Sequence, residues 1–358
     1  MNLRTEESIV SRWKHVDETY VSIICMTFNQ ESYIENTIKG FLIQETDFKF
    51  EIIIHDDAST DRTPKIIKAY AEKYPSLIKV IQQSENQYSK KPTLPTHTAI
   101  NATNGKYIAI CEGDDYWSSE NKIRQQIELL EKNPETDLCY HDCEHLSGGS
   151  IITSPKKISK NLECHSYVSF ESIVKGGGAF ICTPSIVMRS SSVKNLPDFF
   201  LNSPVGDYVL QVLSASSNGA IKLNKPMAVY RVASQGSWSS EQANYNKERN
   251  TRTLTAMIET ISALDNYLAN THSNAFDIAI AKEYVVFAFK ALKAKDIEEF
   301  KRLMGSSYKH KRLASAKQTI MHMGTIAPYL FYHIYRLYQQ QTSKKELGFV
   351  KENIRNSK

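Results

Sequence analysis

The chain of 358 residues lacks the sequence features of membrane-spanning, secreted and disulfide-bonded proteins. No uncharged apolar run approaches the roughly 18 residues of a membrane-spanning helix. Residues 1–19 are polar and lack the apolar segment of a signal peptide, so we expect a protein that stays in the cytoplasm. The six cysteines are scattered along the chain, and in that compartment they are expected to be buried thiols rather than disulfides.

Glycine is missing from the loop after the first predicted strand. That loop has neither the G-x-G-x-x-G of a dinucleotide site nor the G-x-x-x-x-G-K-[ST] of a P-loop. We therefore do not expect its backbone to cradle a phosphate group. A divalent cation is the simplest alternative, because Mg²⁺ commonly binds one or two carboxylates together with the phosphate oxygens of a substrate.

Acidic residues are absent from residues 301–345, which contain nine Lys/Arg. Residues 241–358 carry 19 Lys/Arg against 11 Asp/Glu, so the basic surplus is C-terminal although the net charge is only +5. The aromatic and basic character of residues 325–341 is typical of a helix at a membrane surface. A helix packed on the catalytic domain, or a dimer contact, explains the same pattern equally well. No nucleic-acid-binding module is recognisable, so nucleic acid is not an expected partner.

Strand-like and helix-like segments alternate in the first third of the chain. Apolar runs at 21–26, 51–55, 78–82 and 107–111 are separated by amphipathic helical patterns. Because these runs are continuously apolar, they indicate a mostly parallel sheet that helices cover on both faces. Shorter strands are predicted at 137–143, 185–189 and 227–231, and helices from about residue 241. The predicted architecture is an α/β fold with a helical C-terminal region.

Polar side chains follow three of the predicted strands, in TFNQ (27–30), HDDASTD (55–61) and CEGDDYW (111–117). Ligands bind beyond the C-terminal ends of strands in sheets of this kind, so we expect these groups to share one edge. Glu112, Asp114 and Asp115 repel one another unless a cation or a proton joins them. The cluster therefore favours a site for a metal and a nucleotide over a solvated turn.

Four segments closely resemble, in order and spacing, the N-terminal half of family 2 glycosyltransferases, which have the GT-A fold. They are VSIICMTFNQESYIENTI, EIIIHDDASTDRT, GKYIAICEGDDYW and NKIRQQIELLEKNP. The resemblance covers about residues 20–240. It implies a Rossmann-like sheet, a nucleotide-diphosphate sugar donor (most simply a UDP-sugar), Mn²⁺ or Mg²⁺, and a glycan or lipid-linked acceptor of surface polysaccharide synthesis. It also implies an N-terminal extension at 1–19, a donor half at 20–135, an acceptor half at 136–240 and a helical basic region at 241–358.

The resemblance also implies roles for single residues on the donor side. Asp57 would hydrogen-bond the donor base, Asp114 would approach the ribose, and Asp115 would coordinate the metal. Asp114 is a second candidate metal ligand, and Glu112 fills the first acidic position without an assigned role. The other residues implied to bind the donor are Thr27, Phe28, Asn29 and Asp56, together with Arg231 and Trp238 in the loop MAVYRVASQGSWS (227–239).

The acceptor side needs a general base, which removes a proton from the attacking hydroxyl in an inverting transfer. Asp207, in SPVGDYVLQVL (203–213), matches the segment that carries this base in the family. A histidine that is common in the donor loop is absent near Ala233, so that loop is not expected to give a histidine ligand to the metal.

Other interpretations remain open. A sugar nucleotidyltransferase should have a Gly-rich basic loop after its first strand, which CMTFNQES is not. A non-catalytic scaffold at a membrane surface, with a vestigial nucleotide pocket, is disfavoured by the retained Asp114, Asp115 and Asp207. Zinc ligands at alternate positions from Cys139 to His145 are a weaker hypothesis, as is Asp142 as the acceptor-side carboxylate.

Overall fold

The structure of the chain, a computed structural model, describes residues 3–153, 165–234, 240, 244–334 and 336. Its backbone contacts define two compact units. The first comprises the described residues up to 244 together with 259–275, and the second comprises 245–258 and the described residues from 276 onward. The donor and acceptor halves predicted from the sequence are defined by function rather than by contacts. They stay a prediction.

The first unit is built around a mixed sheet. Its strands are β1 (Val21–Thr27), β2 (Phe50–Asp56), β3 (Ile78–Gln82), β4 (Tyr107–Ile110), β5 (Tyr116–Trp117), β6 (Leu138–Ser147), β7 (Ser150–Thr153), β8 (His165–Val168), β9 (Val187–Arg189) and β10 (Ala220–Arg231). Their order is β3-β2-β1-β4-β9-β6-β10-β5, with β7 beside β6 and β8 beside β10. The predicted strands of both halves are therefore confirmed.

Helices flank this sheet and form the second unit. In the first half of the chain they are α1 (Glu6–Val10), α2 (Ile34–Leu42), α3 (Thr63–Lys73), α4 (Leu94–Asn101) and α5 (Lys122–Lys132). They continue as α6 (Phe170–Gly176), α7 (Gly206–Ala215), α8 (Lys247–Tyr267), α9 (Ser273–Lys293), α10 (Ile297–His310) and α11 (Ala316–Met323). The helical C-terminal region is thus confirmed. Among the described residues, no helix combines the length and the apolar character needed to cross a membrane.

The four strands predicted from apolar runs lie side by side and parallel. β1 pairs with β2 from Val21↔Phe50 to Thr27↔Asp56, and it pairs with β4 on its other edge. The successive residues Ile23 and Ile24 point to opposite faces of the sheet, and both are fully buried. The sheet is therefore covered on both faces, which is why its strands read as unbroken apolar runs rather than alternating ones.

Strand register brings the polar strand ends together. Thr27, the last residue of β1, is paired with Asp56, the last residue of β2. Beyond β4, the amide of Gly113 donates to the carbonyl oxygen of Met26 at 3.0 Å, so the acidic turn continues alongside the end of β1. The expectation that these three strand ends share one edge of the sheet is confirmed.

The second unit has an apolar core of its own. Phe300, Leu303 and Met304 of α10 pack with Ala288 and Leu292 of α9, and all five are buried. Side chains cap the helices that follow. The carboxylate of Asp296 accepts from the Glu299 amide at the start of α10, and the hydroxyl of Ser315 accepts from the Gln318 amide at the start of α11.

Ala58 provides a test of the turn after β2. Its φ of 64° lies in the left-handed region, where a Cβ is unfavourable. We expect Ala58→Gly to raise the free energy of unfolding by about 1 kcal/mol. The matched control Ala69→Gly, on the exposed side of α3, should lower it by about 0.5–1 kcal/mol. Urea denaturation measures both, and equal destabilisation by the two variants would contradict the turn geometry.

Candidate active site

The acidic turn comprises Glu112, Gly113, Asp114 and Asp115 and lies between β4 and β5. One carboxylate oxygen from each of its three acids lies within 4.8 Å of the others. Gly113 is required by the close approach of β1, because a Cβ there would lie 2.7 Å from Oγ1 and 2.8 Å from Cβ of Thr27. On its inner side, the turn is fixed by α2.

Thr37 of α2 makes that attachment. Its hydroxyl is placed to donate to the carbonyl oxygens of Gly113, at 2.9 Å, and of Asp115, at 2.5 Å. A hydroxyl has a single proton, so Thr37 donates to one of these two carbonyl oxygens at a time. The turn is therefore a fixed part of the fold, supported by β1 and by α2.

Arg231, the last residue of β10, holds the other side of the turn. Its backbone amide donates to Oδ1 of Asp115 at 2.7 Å, and its guanidinium donates to the carbonyl oxygen of Asp114. The guanidinium carbon lies 5.0 Å from the ring centroid of Tyr33 and 4.8 Å from that of Tyr116, so two aromatic rings face the cation. The Ser234 hydroxyl adds a hydrogen bond to Oδ2 of Asp114. The end of β10 thus closes over the turn.

Burial and mutual repulsion perturb the acids of the turn. Burial, followed by the charges of Asp114 and Glu112, raises the pKa of Asp115 well above its usual range. Burial, followed by the charges of Asp114 and Asp207, raises the pKa of Glu112 to about 8. Without a cation, the turn therefore retains protons at neutral pH.

The donor set of the turn fits a divalent cation. All three side chains offer oxygen atoms, the ligand type that Mg²⁺ and Mn²⁺ prefer. Oδ2 of Asp115 is buried and accepts no hydrogen bond from any described residue. Asp115 is 1% exposed, whereas Glu112 is more accessible. Among the residues that the structure describes, this is also the only cluster of three His, Cys, Asp or Glu side chains that could hold a metal ion.

Asp207 lies near the acidic turn, since its charge contributes to the raised pKa of Glu112. It is the second residue of α7. Its Oδ2 accepts from the Thr183 hydroxyl at 3.0 Å, and its Oδ1 accepts from the Tyr208 amide at 2.7 Å. Burial raises the pKa of Asp207 to about 6, although these two hydrogen bonds oppose the shift. The structure thus brings the predicted base and the predicted metal ligands together.

A set of buried contacts, which we call the scaffold, links the acidic turn to the segment of Thr183, the residue that donates to Asp207. Lys122 of α5 is fully buried, and its Nζ donates to Gln126 at 2.8 Å and lies 4.1 Å from the ring centroid of Trp117. Trp117 donates to the carbonyl oxygen of Pro184, and Gln126 donates to that of Ser185, next to Thr183. Burial lowers the pKa of Lys122 to about 7.

Sequence analysis missed this scaffold. The spacing of Lys122 and Gln126, four residues apart beside the apolar stripe of Ile123 and Ile127, was the available signal. It was weak, because a lysine at the edge of an amphipathic helix is usually solvated.

The residues predicted at the donor base already have partners within the protein. Asp57 accepts from the amides of Gln87 at 2.7 Å and Tyr88 at 2.9 Å, so it anchors the loop between β3 and α4. Asn29 accepts from the Thr60 amide at 2.8 Å. Oδ1 of Asp56 accepts from the Ser59 amide, and Phe28 is 42% exposed. Their contacts with a donor stay predictions, and Trp238 lies outside the described residues.

The weaker hypotheses find little support. Asp142 forms an ion pair with Lys222 at 2.9 Å, which occupies the proposed alternative carboxylate. Cys139, His141 and Cys143 are buried on β6, and they do not belong to the candidate metal cluster of the described residues.

Comparisons with known proteins identify the family of this chain. The family model described as "Glycosyl transferase family 2" matches residues 22–194. An uncharacterised protein of Mycobacterium bovis is 33% identical over 253 residues, which are 67% of this chain and 68% of that protein. Escherichia coli WfgD, a UDP-Glc:alpha-D-GlcNAc-diphosphoundecaprenol beta-1,3-glucosyltransferase, is 30% identical over 149 residues, which are 41% of this chain and 55% of that enzyme.

A solved structure shows the same fold. Residues 1–349 of Staphylococcus aureus TarS, in complex with UDP-GlcNAc, superpose with a TM-score of 0.61 at 17% identity, covering 90% of this chain and 92% of that one. The chain belongs to glycosyltransferase family 2 and has the GT-A fold. The predicted family and fold are both confirmed.

Arg231→Lys tests how much the contacts of the Arg231 guanidinium stabilise the acidic turn. Lysine keeps the charge but loses the planar group that faces two rings and bonds to the Asp114 carbonyl. We expect a loss of about 1–2 kcal/mol in the free energy of unfolding, measured by urea denaturation. Arg124→Lys, on the exposed side of α5, is the control and should change it by less than about 0.5 kcal/mol. Equal effects of the two variants would contradict the closure.

Cation binding should release protons. Because the pKa of Glu112 is about 8, this acid is mostly protonated at pH 7 and must lose its proton to bind a metal. We expect about one proton or more to be released per cation, measured by calorimetry in two buffers of different ionisation enthalpy. Glu112→Gln should release fewer protons and bind more weakly, whereas Glu128→Gln, exposed on α5, should match the wild type. Identical heats in both buffers would contradict the proposed protonation.

Proposed function

We propose that this chain is a metal-dependent, inverting glycosyltransferase. It moves a sugar from a nucleotide-diphosphate sugar, most simply a UDP-sugar, to a glycan or lipid-linked acceptor in surface polysaccharide synthesis. One observation carries the proposal: a cluster of three carboxylates lies within electrostatic range of Asp207, a partly buried acid whose pKa of about 6 suits a general base. We also propose that the protein is cytoplasmic and works at the inner face of the cell membrane.

The donor is proposed to lie along the ends of β1, β2 and β4. Thr27, Phe28, Asn29, Asp56 and Asp57 would line the base, with Asp57 accepting its hydrogen bond beside the two amides that it already binds. Asp114 would approach the ribose, and Arg231 and Trp238 would lie on the diphosphate side. The UDP-GlcNAc bound to TarS and the UDP-Glc in the name of WfgD support a UDP-sugar.

Asp115 and Asp114 would hold the cation, and Glu112 can supply a third oxygen ligand. A bound Mn²⁺ or Mg²⁺ supplies positive charge that stabilises the leaving diphosphate. Arg231 acts on the same region through the protein, because its amide bonds to Oδ1 of Asp115 and its guanidinium bonds to the backbone carbonyl oxygen of Asp114. The loss of protons from the acids accompanies binding, so affinity for the cation should increase as the pH rises toward 8.

Asp207 is proposed to take the proton of the acceptor hydroxyl as that oxygen attacks the anomeric carbon. Attack from the face opposite the diphosphate inverts the anomeric configuration. The Thr183 hydroxyl and the Tyr208 amide hold the carboxylate in one orientation, which leaves its remaining lone pairs for the acceptor. The diphosphoundecaprenol in the name of WfgD supports a lipid-linked acceptor.

Substitution separates the two roles. Asp115→Ala should abolish metal-dependent donor binding, measured as stabilisation of the protein in a thermal-shift screen of nucleotide sugars with Mn²⁺ or Mg²⁺. Asp207→Asn should keep that stabilisation but lower the transfer rate by about 10²–10⁴-fold. The control Asp198→Asn, at an exposed position in the short 3₁₀ helix Asp198–Asn202, should change neither. Donor binding that is unaffected by a chelator or by loss of Asp115 would contradict the metal assignment.

At a saturating concentration of the cation, the pH profile gives a second readout of Asp207. Below about pH 6 the carboxylate is protonated and cannot accept a proton, so wild-type transfer should fall about tenfold per pH unit there. A flat profile down to pH 5 would contradict its role as the base. A chain that binds donors but transfers no sugar under any condition would support the scaffold alternative instead.

A further inference from the structure

Large apolar side chains stay exposed in one stretch of the second unit. Ile326 is 86% exposed, Leu313 73% and Met323 67%. With Ile320, Leu330 and Ile334, each more than half exposed, they form a set that we call the apolar face. One exposed leucine needs no explanation, but a concentration of six within 22 residues marks an interaction site.

The apolar face is a fixed feature of this stretch. Ile320 and Met323 are three residues apart on α11, and Leu330 and Ile334 are four apart in the helical residues 328–334, so each pair shares one side of a helix. Residues elsewhere on α11 are buried instead. Its Gln318 side chain is fully buried and donates to the Ser307 hydroxyl at 2.8 Å and to the Lys311 carbonyl at 2.7 Å.

Positive charge accompanies the apolar face. Residues 301–345 contain no acid, and Lys309, Lys311, Arg312 and Lys317 lie within this stretch. None of these four forms an ion pair with a residue that the structure describes. By contrast, the nearby Arg302 forms an ion pair with Glu299, and Nε2 of His310 lies 3.3 Å from a carboxylate oxygen of Asp277. Arg312 and Lys317 lie over the rings of Tyr308 and Phe289, at 5.5 and 5.0 Å from the ring centroids. Neither ring cancels a positive charge, so all four cations can still attract a partner of negative charge.

This combination favours one occupant. Aliphatic side chains that border unpaired Lys and Arg, with an exposed tyrosine (Tyr329), match the composition of a surface that lies in the headgroup region of a bilayer. The core of a protein–protein interface is instead depleted in lysine. Nucleic acid would use the cations but would leave six aliphatic side chains in water.

We propose that the apolar face docks on the surface of an anionic lipid bilayer, with Lys309, Lys311, Arg312 and Lys317 bound to lipid phosphates. The proposal refines the proposed membrane location by naming the side chains and the lipid charge. It rests on the proposed function, since docking on a bilayer would bring the enzyme to a lipid-linked acceptor. Vesicle binding is measured without donor or acceptor, however, so its failure and the failure of sugar transfer are separate results.

The experiment is flotation of the full-length protein with phosphatidylcholine vesicles, with and without added phosphatidylglycerol. We expect binding that depends on phosphatidylglycerol and weakens with salt. The double variant Ile326→Ser/Leu330→Ser should lose at least about tenfold in affinity, since it removes two aliphatic contacts with lipid. Lys309→Gln/Lys311→Gln should lose a similar factor and show a smaller salt dependence.

Matched controls come from the first unit. Val16→Ser/Val80→Ser removes two exposed apolar side chains, and Lys65→Gln/Lys79→Gln removes two exposed cations. Both should bind vesicles as the wild type does. Circular dichroism melting checks that every variant is folded.

Several results would overturn the proposal. Equal binding to neutral and anionic vesicles, or unchanged binding by the Ile326→Ser/Leu330→Ser variant, would do so. If the wild type ignores vesicles but forms a dimer in ultracentrifugation that this variant abolishes, a second copy is the occupant. If the wild type does not bind vesicles and the variant lowers only the melting temperature, the occupant belongs to the same chain.

Discussion

Repulsion among three carboxylates is the constraint on which the rest of this site depends. Glu112, Asp114 and Asp115 are brought within 4.8 Å of one another in a turn that is mostly shielded from water. The protein compensates only part of the negative charge, through the Arg231 amide and guanidinium. Burial and this repulsion raise the pKa values of Glu112 and Asp115, so protons supply the remainder in the free chain. A cation can replace those protons, so the site is prepared for a ligand that carries positive charge.

The fold holds this unfavourable cluster in place by attaching it on several sides. Gly113 allows β1 to approach, Thr37 of α2 bonds to the carbonyl groups of the turn, and Arg231 closes it from β10. The buried Lys122, against Trp117, then joins the turn to the loop that orients Asp207. The proposed metal site and the proposed base are therefore positioned by one connected set of contacts. We expect a displacement of the acidic turn to shift Asp207 as well, and the reverse.

The sequence predicted the fold well because its strands are short, continuous and buried on both faces, a pattern that depends on neighbouring residues alone. The family followed from four local motifs. The contacts within the site were not predictable in the same way. Arg231 meets the Asp114 carbonyl across 117 residues, and Asp57 anchors the Gln87 and Tyr88 amides 30 and 31 residues away. The sequence pattern around Lys122 is that of a solvated lysine at the edge of a helix. Burial of its ammonium group depends instead on Trp117 and on packing that no local pattern encodes.

The central claim is that a cation held by the acidic turn joins the protein to the donor diphosphate. Pulsed electron–nuclear double resonance on Mn²⁺ measures this directly through coupling to phosphorus. We expect one bound Mn²⁺ per chain, ³¹P coupling when a UDP-sugar is present, and loss of both signals in Asp115→Ala. Bound Mn²⁺ that shows no ³¹P coupling with any nucleotide sugar, or that survives in Asp115→Ala unchanged, would contradict it.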